Sequence, residues 1–170
     1  IPGTRNRSFM YIYDLGTKLS QPLTAGSQSA MLHAISPDGR RILFSISRQD
    51  YSEVPFTKQT LYELEISTMR LDTIWKDKLY GGSCQYSPDG TQLLVSGGPE
   101  TFGSMGVKVS DNRIPNSYDT QLFLSDLKTK KTEPLTRNFD PSAGMARWAA
   151  DGKIYLTATE RDYVNLYRLD

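Results

Sequence analysis

The sequence predicts an all-β chain built from tandem four-stranded antiparallel units, and three observations carry that expectation. The tetrapeptide Ser36-Pro37-Asp38-Gly39 returns as Ser87-Pro88-Asp89-Gly90 and, in degenerate form, as Ala149-Ala150-Asp151-Gly152. A second motif returns in step with it: Tyr11-Ile12-Tyr13-Asp14-Leu15, Tyr62-Glu63-Leu64-Glu65-Ile66, Phe123-Leu124-Ser125-Asp126-Leu127 and a last copy, Tyr167-Arg168-Leu169-Asp170. The phase between the two is constant. Asp14 to Asp38 and Glu65 to Asp89 are each 24 residues apart, and Asp126 to Asp151 is 25. Two motifs that keep one phase mark an internal repeat, here with steps of 51 and 62 residues between turn aspartates.

Each unit reads as four strands. The first precedes the tetrapeptide, at 31–35, 83–86 and 145–148. The tetrapeptide is a hairpin turn, because Pro presets φ, Asp bonds nearby backbone and Gly accepts positive φ. Gly39, Gly90 and Gly152 are therefore expected in the left-handed region. The second strand follows at 41–46, 92–96 and 153–157, rich in Ile, Leu and Val. The third is the aromatic-to-acid motif. A short polar turn at 16–18, 67–69 or 128–130 leads to the fourth, which ends in Pro22-Leu23-Thr24 or Pro134-Leu135-Thr136. No amphipathic helical pattern separates the strands, which disfavours a parallel sheet.

Four short strands per repeat of this length is the signature of a β-propeller segment. The expected arrangement is about three four-stranded antiparallel blades in an open arc. Its divisions are the end of a preceding blade at 1–28, a blade at 29–78, a blade at 79–140 with a long insertion at 97–119, and an incomplete blade at 141–170. An arc leaves apolar blade faces and a strand edge near 164–170 uncovered, so self-association is an expected property of the fragment.

Charge and composition narrow the partners. Lys+Arg number 20 and Asp+Glu 19, so no basic surplus draws in a polyanion, and a nucleic-acid partner is not expected. One cysteine, Cys84, excludes an internal disulfide and says nothing of compartment. No apolar run approaches the roughly 20 residues of a membrane helix, so no membrane span is expected. No signal peptide is read, and an initial Ile1 suits a processed or excised chain.

Catalytic chemistry is not expected of this chain. A Gly-x-Ser-x-Gly nucleophile elbow does not occur; Gly82-Ser83-Cys84 and Gly103-Ser104-Met105-Gly106 lack its spacing. The single histidine, His33, lies in a first strand. The repeat puts His33, Cys84 and Ala146 in one position, with Ile35, Tyr86 and Trp148 two residues on and on the same face. His33 and Cys84 then read as packing residues on neighbouring blades, against the sharper reading of a Cys–His nucleophilic pair. One His and one Cys do not make a zinc site, and the turn aspartates do not have the spacing of a calcium loop, so no metal and no cofactor are expected. Two insertions stand between second and third strands, at 49–59 and 97–119. The longer carries Phe102, Arg113 and Tyr118, and reads either as a surface or edge-sealing loop or as a substrate-touching one. Binding residues are not assigned.

The Ser-Pro-Asp-Gly, aromatic-x-x-Asp-Leu and Pro-Leu-Thr series resembles the repeats of bacterial TolB-type propellers. It also resembles the propeller domain of the prolyl oligopeptidase family, including the dipeptidyl aminopeptidase IV type. Gly98 to Gly103, Ile114 to Phe123 and Leu135 to Pro141 resemble bacterial dipeptidyl-aminopeptidase-like members in particular. The resemblance implies a non-catalytic propeller, in a periplasmic or secreted protein, that gates a peptide substrate toward a separate α/β-hydrolase domain and is completed by further blades. A TolB-like protein-binding platform in the cell envelope is the alternative, and a stand-alone propeller glycosidase or lyase the third. The family's acidic residues for a substrate amino terminus match no acidic pair here.

Overall fold

The structure, a computed structural model, describes residues 6–109, 116 and 118–169, and these form thirteen strands and no helix. The first sheet pairs β1 (Tyr11–Tyr13) with β2 (Ser20–Pro22). The second runs β3 (Ala30–Ile35), β4 (Arg41–Gln49), β5 (Thr57–Glu65) and β6 (Arg70–Lys78). The third runs β7 (Cys84–Tyr86), β8 (Gln92–Gly97), β9 (Gln121–Asp126) and β10 (Thr132–Pro134). The fourth runs β11 (Ala143–Trp148), β12 (Ile154–Glu160) and β13 (Tyr163–Leu169). All pairings are antiparallel and join strands adjacent in the chain. Strand β3 touches β7, and β7 touches β11, so the first strands of successive sheets meet.

The recurring turns close as the sequence predicts. Gly39 and Gly90 have φ of 71° and Gly152 of 81°. In the first two copies the serine and aspartate form one clasp. The Ser36 hydroxyl donates to Asp38 Oδ1 and accepts the Arg41 amide at 2.8 Å, while Asp38 Oδ1 also accepts the Arg40 amide. Ser87 and Asp89 repeat this with the amides of Gln92 and Thr91. Ala149 has no hydroxyl, and of this clasp Asp151 keeps the amide of Lys153. A valine at either of the first two glycines is expected to cost about 1–3 kcal/mol through its left-handed backbone. Gly90→Val is expected to be the worse of the two. A Cβ there meets Arg41 Nη2 at 3.1 Å and Pro37 Cδ at 3.4 Å, whereas one at Gly39 meets nothing within 4 Å. Parallel urea melts of the two variants check the order.

In the first three sheets the acidic residue ending the third strand ties the next turn. Asp14 accepts the Thr17 amide at 2.6 Å, Asp126 the Thr129 amide at 2.6 Å, and Glu65 the Thr68 hydroxyl at 3.0 Å. In two sheets the fourth strand is then fastened by its final threonine. Thr24 Oγ1 accepts the Met10 amide at 2.9 Å, and Thr136 Oγ1 the Leu122 amide at 2.8 Å.

Successive sheets pack face to face. Between the first and second lie Leu23, Ala30, Ile42, Phe44 and Leu64. Leu43, Leu61 and Trp75 of the second meet Tyr86, Leu93, Val95 and Phe123 of the third. Leu94 and Leu122, from the opposite face of the third, meet Ala146, Ile154 and Leu156 of the fourth. Strict alternation along β8 and β9 thus buries the third sheet on both sides.

Three expectations are corrected. The insertion at 49–59 does not interrupt its hairpin, since Gln49 pairs Thr57, Arg48 pairs Lys58 and Ser47 pairs Gln59, leaving a loop of 50–56. Ion pairs hold it shut. Arg48 bridges Asp50 at 3.1 Å and Asp77 at 2.9 Å, and Lys58 pairs with Asp50 and Glu53. Second, Ile35 is 57% exposed although its counterpart Tyr86 is buried. Ile35 stands opposite Ile42 on the face toward the first sheet, which among the described residues has only β1 and β2 and leaves it uncovered. Third, His33 does not share a position with Cys84 and Ala146. The ladder passes from Leu32–Phe44 to Ala34–Leu43, so His33 is the extra residue of a bulge, which changes the face its ring takes.

Candidate functional site

The bulge turns the His33 ring to Ser45, with Nε2 and Oγ 2.8 Å apart. Ser45 is buried and lies on the same face of β4 as Leu43, toward the third sheet. Gln59 Nε2 donates to the same Oγ at 3.2 Å. His33 Nδ1 and Gln59 Oε1 are buried without a hydrogen-bond partner. Beside this cluster opens a cleft of about 710 Å³, lined by His33, the 80–83 segment, the end of β8, the 118–120 segment and Gly144 to Arg147. Its walls therefore come from three sheets. The 80–83 segment lies flat on β8: the Ser96 amide donates to the Ser83 carbonyl at 2.8 Å, and the Gly98 amide to the Tyr80 carbonyl at 3.0 Å. Only glycine fits at 82, because a Cβ there would collide with the Ser96 carbonyl.

The long insertion divides in two. Its first half is core. Phe102 packs edge-on to Trp75 and to Phe123, at centroid distances of 5.5 and 5.1 Å, with Lys78 Nζ over its face. Phe102 is thus a plug over the seam between second and third sheets. Tyr118 is 96% exposed at the cleft. Arg113, like Ile114, Pro115 and Ser117, lies outside the described residues.

Several chemistries are disfavoured by geometry. Cys84 is buried, and desolvation pushes its thiol far above the usual range, so it holds its proton. It lies in the core on the face of β7 toward the second sheet, not in a pair with His33. The Ser45–His33 contact resembles half of a hydrolytic triad, but Ser45 is sealed from the cleft and no carboxylate orients Nδ1. Among the described residues no three His, Cys, Asp or Glu side chains converge on one point. Among the described residues the cleft carries one acidic and one basic side chain, Asp119 and Arg147, with glycine backbone between them. It suits polar, extended, uncharged chain rather than a polyanion.

Burial lowers the His33 pKa. The folded chain then prefers neutral imidazole, so this contribution to stability is whole above the unfolded value of about 6.5 and is lost as pH falls through the folded value. The melting temperature is expected to be level from pH 8 to 7 and to fall as pH drops below about 6.5. In His33→Gln that fall disappears. Thermal melts in that window isolate the effect, because His33 is the single histidine and the turn carboxylates are held below their usual range.

No family model and no curated protein matches the chain. Solved structures do. TolB from Acinetobacter baumannii superposes with a TM-score of 0.63 at 19% identity, over 95% of this chain and 35% of that one. Porphyromonas gingivalis dipeptidyl peptidase 4 gives 0.62 at 9%, over 97% and 29%. Oligogalacturonate lyase from Vibrio parahaemolyticus gives 0.67 at 10%, over 98% and 43%. The chain spans less than half the length of each. Identity this low speaks to fold alone, and on that evidence of shape this chain folds as β-propeller sheets of the kind found in TolB and in the propeller domains of dipeptidyl-peptidase-type enzymes.

Proposed function

We propose that the chain is a non-catalytic propeller segment of a dipeptidyl-aminopeptidase-like serine peptidase, gating substrate access and supplying part of the cavity wall. The observation that carries this reading is the cleft at His33, Tyr118 and Arg147: open, polar and lined largely by backbone. In this reading the four sheets are the end of a preceding blade, two complete blades and an incomplete one, divided at 28, 78 and 140 and set in an open arc. Further blades and an α/β-hydrolase domain of the parent complete the enclosure, a peptide is the substrate, and the parent works in the periplasm or outside the cell. The apolar side chains left in water on the outer sheets, Tyr11, Tyr13 and Leu15 at one end and Val164 and Leu166 at the other, are then covered by neighbouring blades. In the isolated chain a second copy takes their place.

A fluorophosphonate probe tests this on the parent protein and on the isolated chain. The reading expects labelling of the parent at a serine outside these 170 residues and no turnover of Xaa-Pro substrates by the isolated chain. Labelling within the chain, or a parent that is never labelled, refutes it. A second reading, a TolB-like protein-binding platform, is supported by the superposition on TolB. An unlabelled parent held in a stable complex with an envelope protein decides for it.

A further inference from the structure

Two of the seams between sheets close with the same latch. The Ser8 amide donates to the Ser29 hydroxyl at 3.1 Å, and the Ser8 carbonyl accepts the Ala30 amide at 2.9 Å. Thr120 does the same with Ser142 and Ala143, both at 2.9 Å. Between the second and third sheets the repeat puts Gln59, Tyr80 and Gly81 in these places. Gln59 stands three residues before Tyr62, as Ser8 stands before Tyr11 and Thr120 before Phe123. Gly81 stands eight before Asp89, as Ala30 stands before Asp38 and Ala143 before Asp151. Here the latch is lost. Tyr80 brings no serine hydroxyl, β5 carries Gln59 on into its ladder opposite Lys78, and the Tyr80 carbonyl accepts the Gly98 amide instead. Tyr80 also holds a left-handed φ of 54°, which a residue other than glycine adopts at a cost.

The cleft opens at this departure, and His33, Tyr80 and Gly81 line it. Among the described residues three buried side-chain atoms lack a hydrogen-bond partner: His33 Nδ1, Gln59 Oε1 and Trp75 Nε1. All three belong to the second sheet. His33 and Gln59 share Ser45 Oγ, which has one proton and two lone pairs. Gln59 Nε2 donates to one lone pair, and the buried Ser45 proton is satisfied when it goes to His33 Nε2. The imidazole proton then sits on Nδ1. The unpartnered atoms are thus one donor, Nδ1–H, and one acceptor, Gln59 Oε1. Gly81 lies directly on that acceptor, because a Cβ at 81 would collide with it.

We infer that the cleft binds a main-chain amide of an extended peptide, its carbonyl accepting from His33 Nδ1–H and its N–H donating to Gln59 Oε1. A carboxylate has no proton for Oε1, and an ammonium has no lone pair for Nδ1–H. A peptide unit carries both groups and no charge. Both side-chain atoms are covered, so the peptide displaces their cover, and Gly81 and Gly82 give that segment a backbone freedom other residues lack. Burial makes a missing partner costly, which is the source of selectivity. The inference deepens the peptide-gating reading and rests on it for the origin of the peptide.

His33 is the single histidine, so its ring reports on the site directly. At about pH 8, where the imidazole is neutral, its nitrogen resonances in the 170-residue chain are expected to place the proton on Nδ1. Acetyl-trialanine N-methylamide, whose amides are all main-chain, is expected to move the Nδ1–H resonance downfield and to saturate. Acetyl-triproline dimethylamide offers carbonyls and no N–H, and is expected to bind at least about tenfold more weakly. Gln59→Met is expected to erase that difference by weakening the alanine peptide alone. The comparison of the two peptides needs no variant, so it decides even if Gln59→Met fails to fold. A proton found on Nε2, an Nδ1–H resonance unmoved by the alanine peptide, equal binding of the two peptides, or an equal response to maltotriose overturns the inference. Fluorophosphonate labelling of the parent does not depend on these resonances, so failure of the site and failure of the peptidase reading are told apart.

Discussion

Phe123→Ala is expected to cost about 3–5 kcal/mol, the largest loss from any single substitution considered. The ring is fully buried in β9, and its edge-on contact with Phe102, itself edge-on to Trp75, closes the seam between the second and third sheets. Truncation leaves a void that three separate elements would have to collapse into. Two of them are strands fixed by their ladders. Equilibrium urea unfolding should show a lower midpoint at unchanged slope. Tyr118→Ala, in the same insertion but 96% exposed, should stay within about 0.5 kcal/mol of the parent chain. A loss below about 1 kcal/mol at Phe123 would mean that the insertion does not pack as a plug.

Glu63→Ala is expected to cost about 2–3 kcal/mol, because it strands two partners rather than one. Arg41 Nη1 reaches Glu63 Oε1 at 3.1 Å, and the Tyr86 hydroxyl donates to the same oxygen at 2.7 Å. Arg41 also lies over the Tyr86 ring, and its Nη2 donates to the Gly90 carbonyl at 3.0 Å. One guanidinium from β4 thus holds the next sheet by its first strand and by its turn. The carboxylate is only 13% exposed, so water does not replace it freely. A double-mutant cycle with Tyr86→Phe measures the coupling; additivity within about 0.3 kcal/mol would show that the two groups act separately. Alkali gives a second readout. Burial first, then the Glu63 hydrogen bond, push the Tyr86 phenol well above its usual range. Its contribution is whole below the unfolded value of about 10 and is lost as pH rises beyond it, and Tyr86→Phe removes that loss.

The strands and turns were legible in the sequence because their signals are local. Gly39, Gly90 and Gly152 announce a left-handed residue, and Asp14 and Asp126 cap turns within three residues of themselves. The bulge at His33 has no such mark. Neither a glycine nor a change of pattern flags it, and it appears only when β3 is laid on β4. Phe102 and Tyr118 are both aromatic residues in one polar insertion, and nothing near either tells plug from surface. That difference depends on Trp75 and Phe123, far off in the chain. The 50–56 loop was overestimated because the ion pairs of Arg48 and Lys58 carry the ladder through residues that look like a break. The cleft was illegible for the same reason at larger scale, since five separated segments build it.

The pairing of every strand with its neighbour in the chain also dictates how quickly this molecule assembles. Each hairpin closes over a few residues, so the first, second and fourth sheets form from local encounters, without a search for distant partners. The exception is the connection from Gly97 to Gln121. Closing it costs about 1.5 kcal/mol more than closing a four-residue turn, by the logarithmic growth of loop entropy with length. The third sheet is therefore expected to complete its ladder last, although it holds the most deeply buried side chains. The meeting of β8 with β9 is the expected slow step of folding.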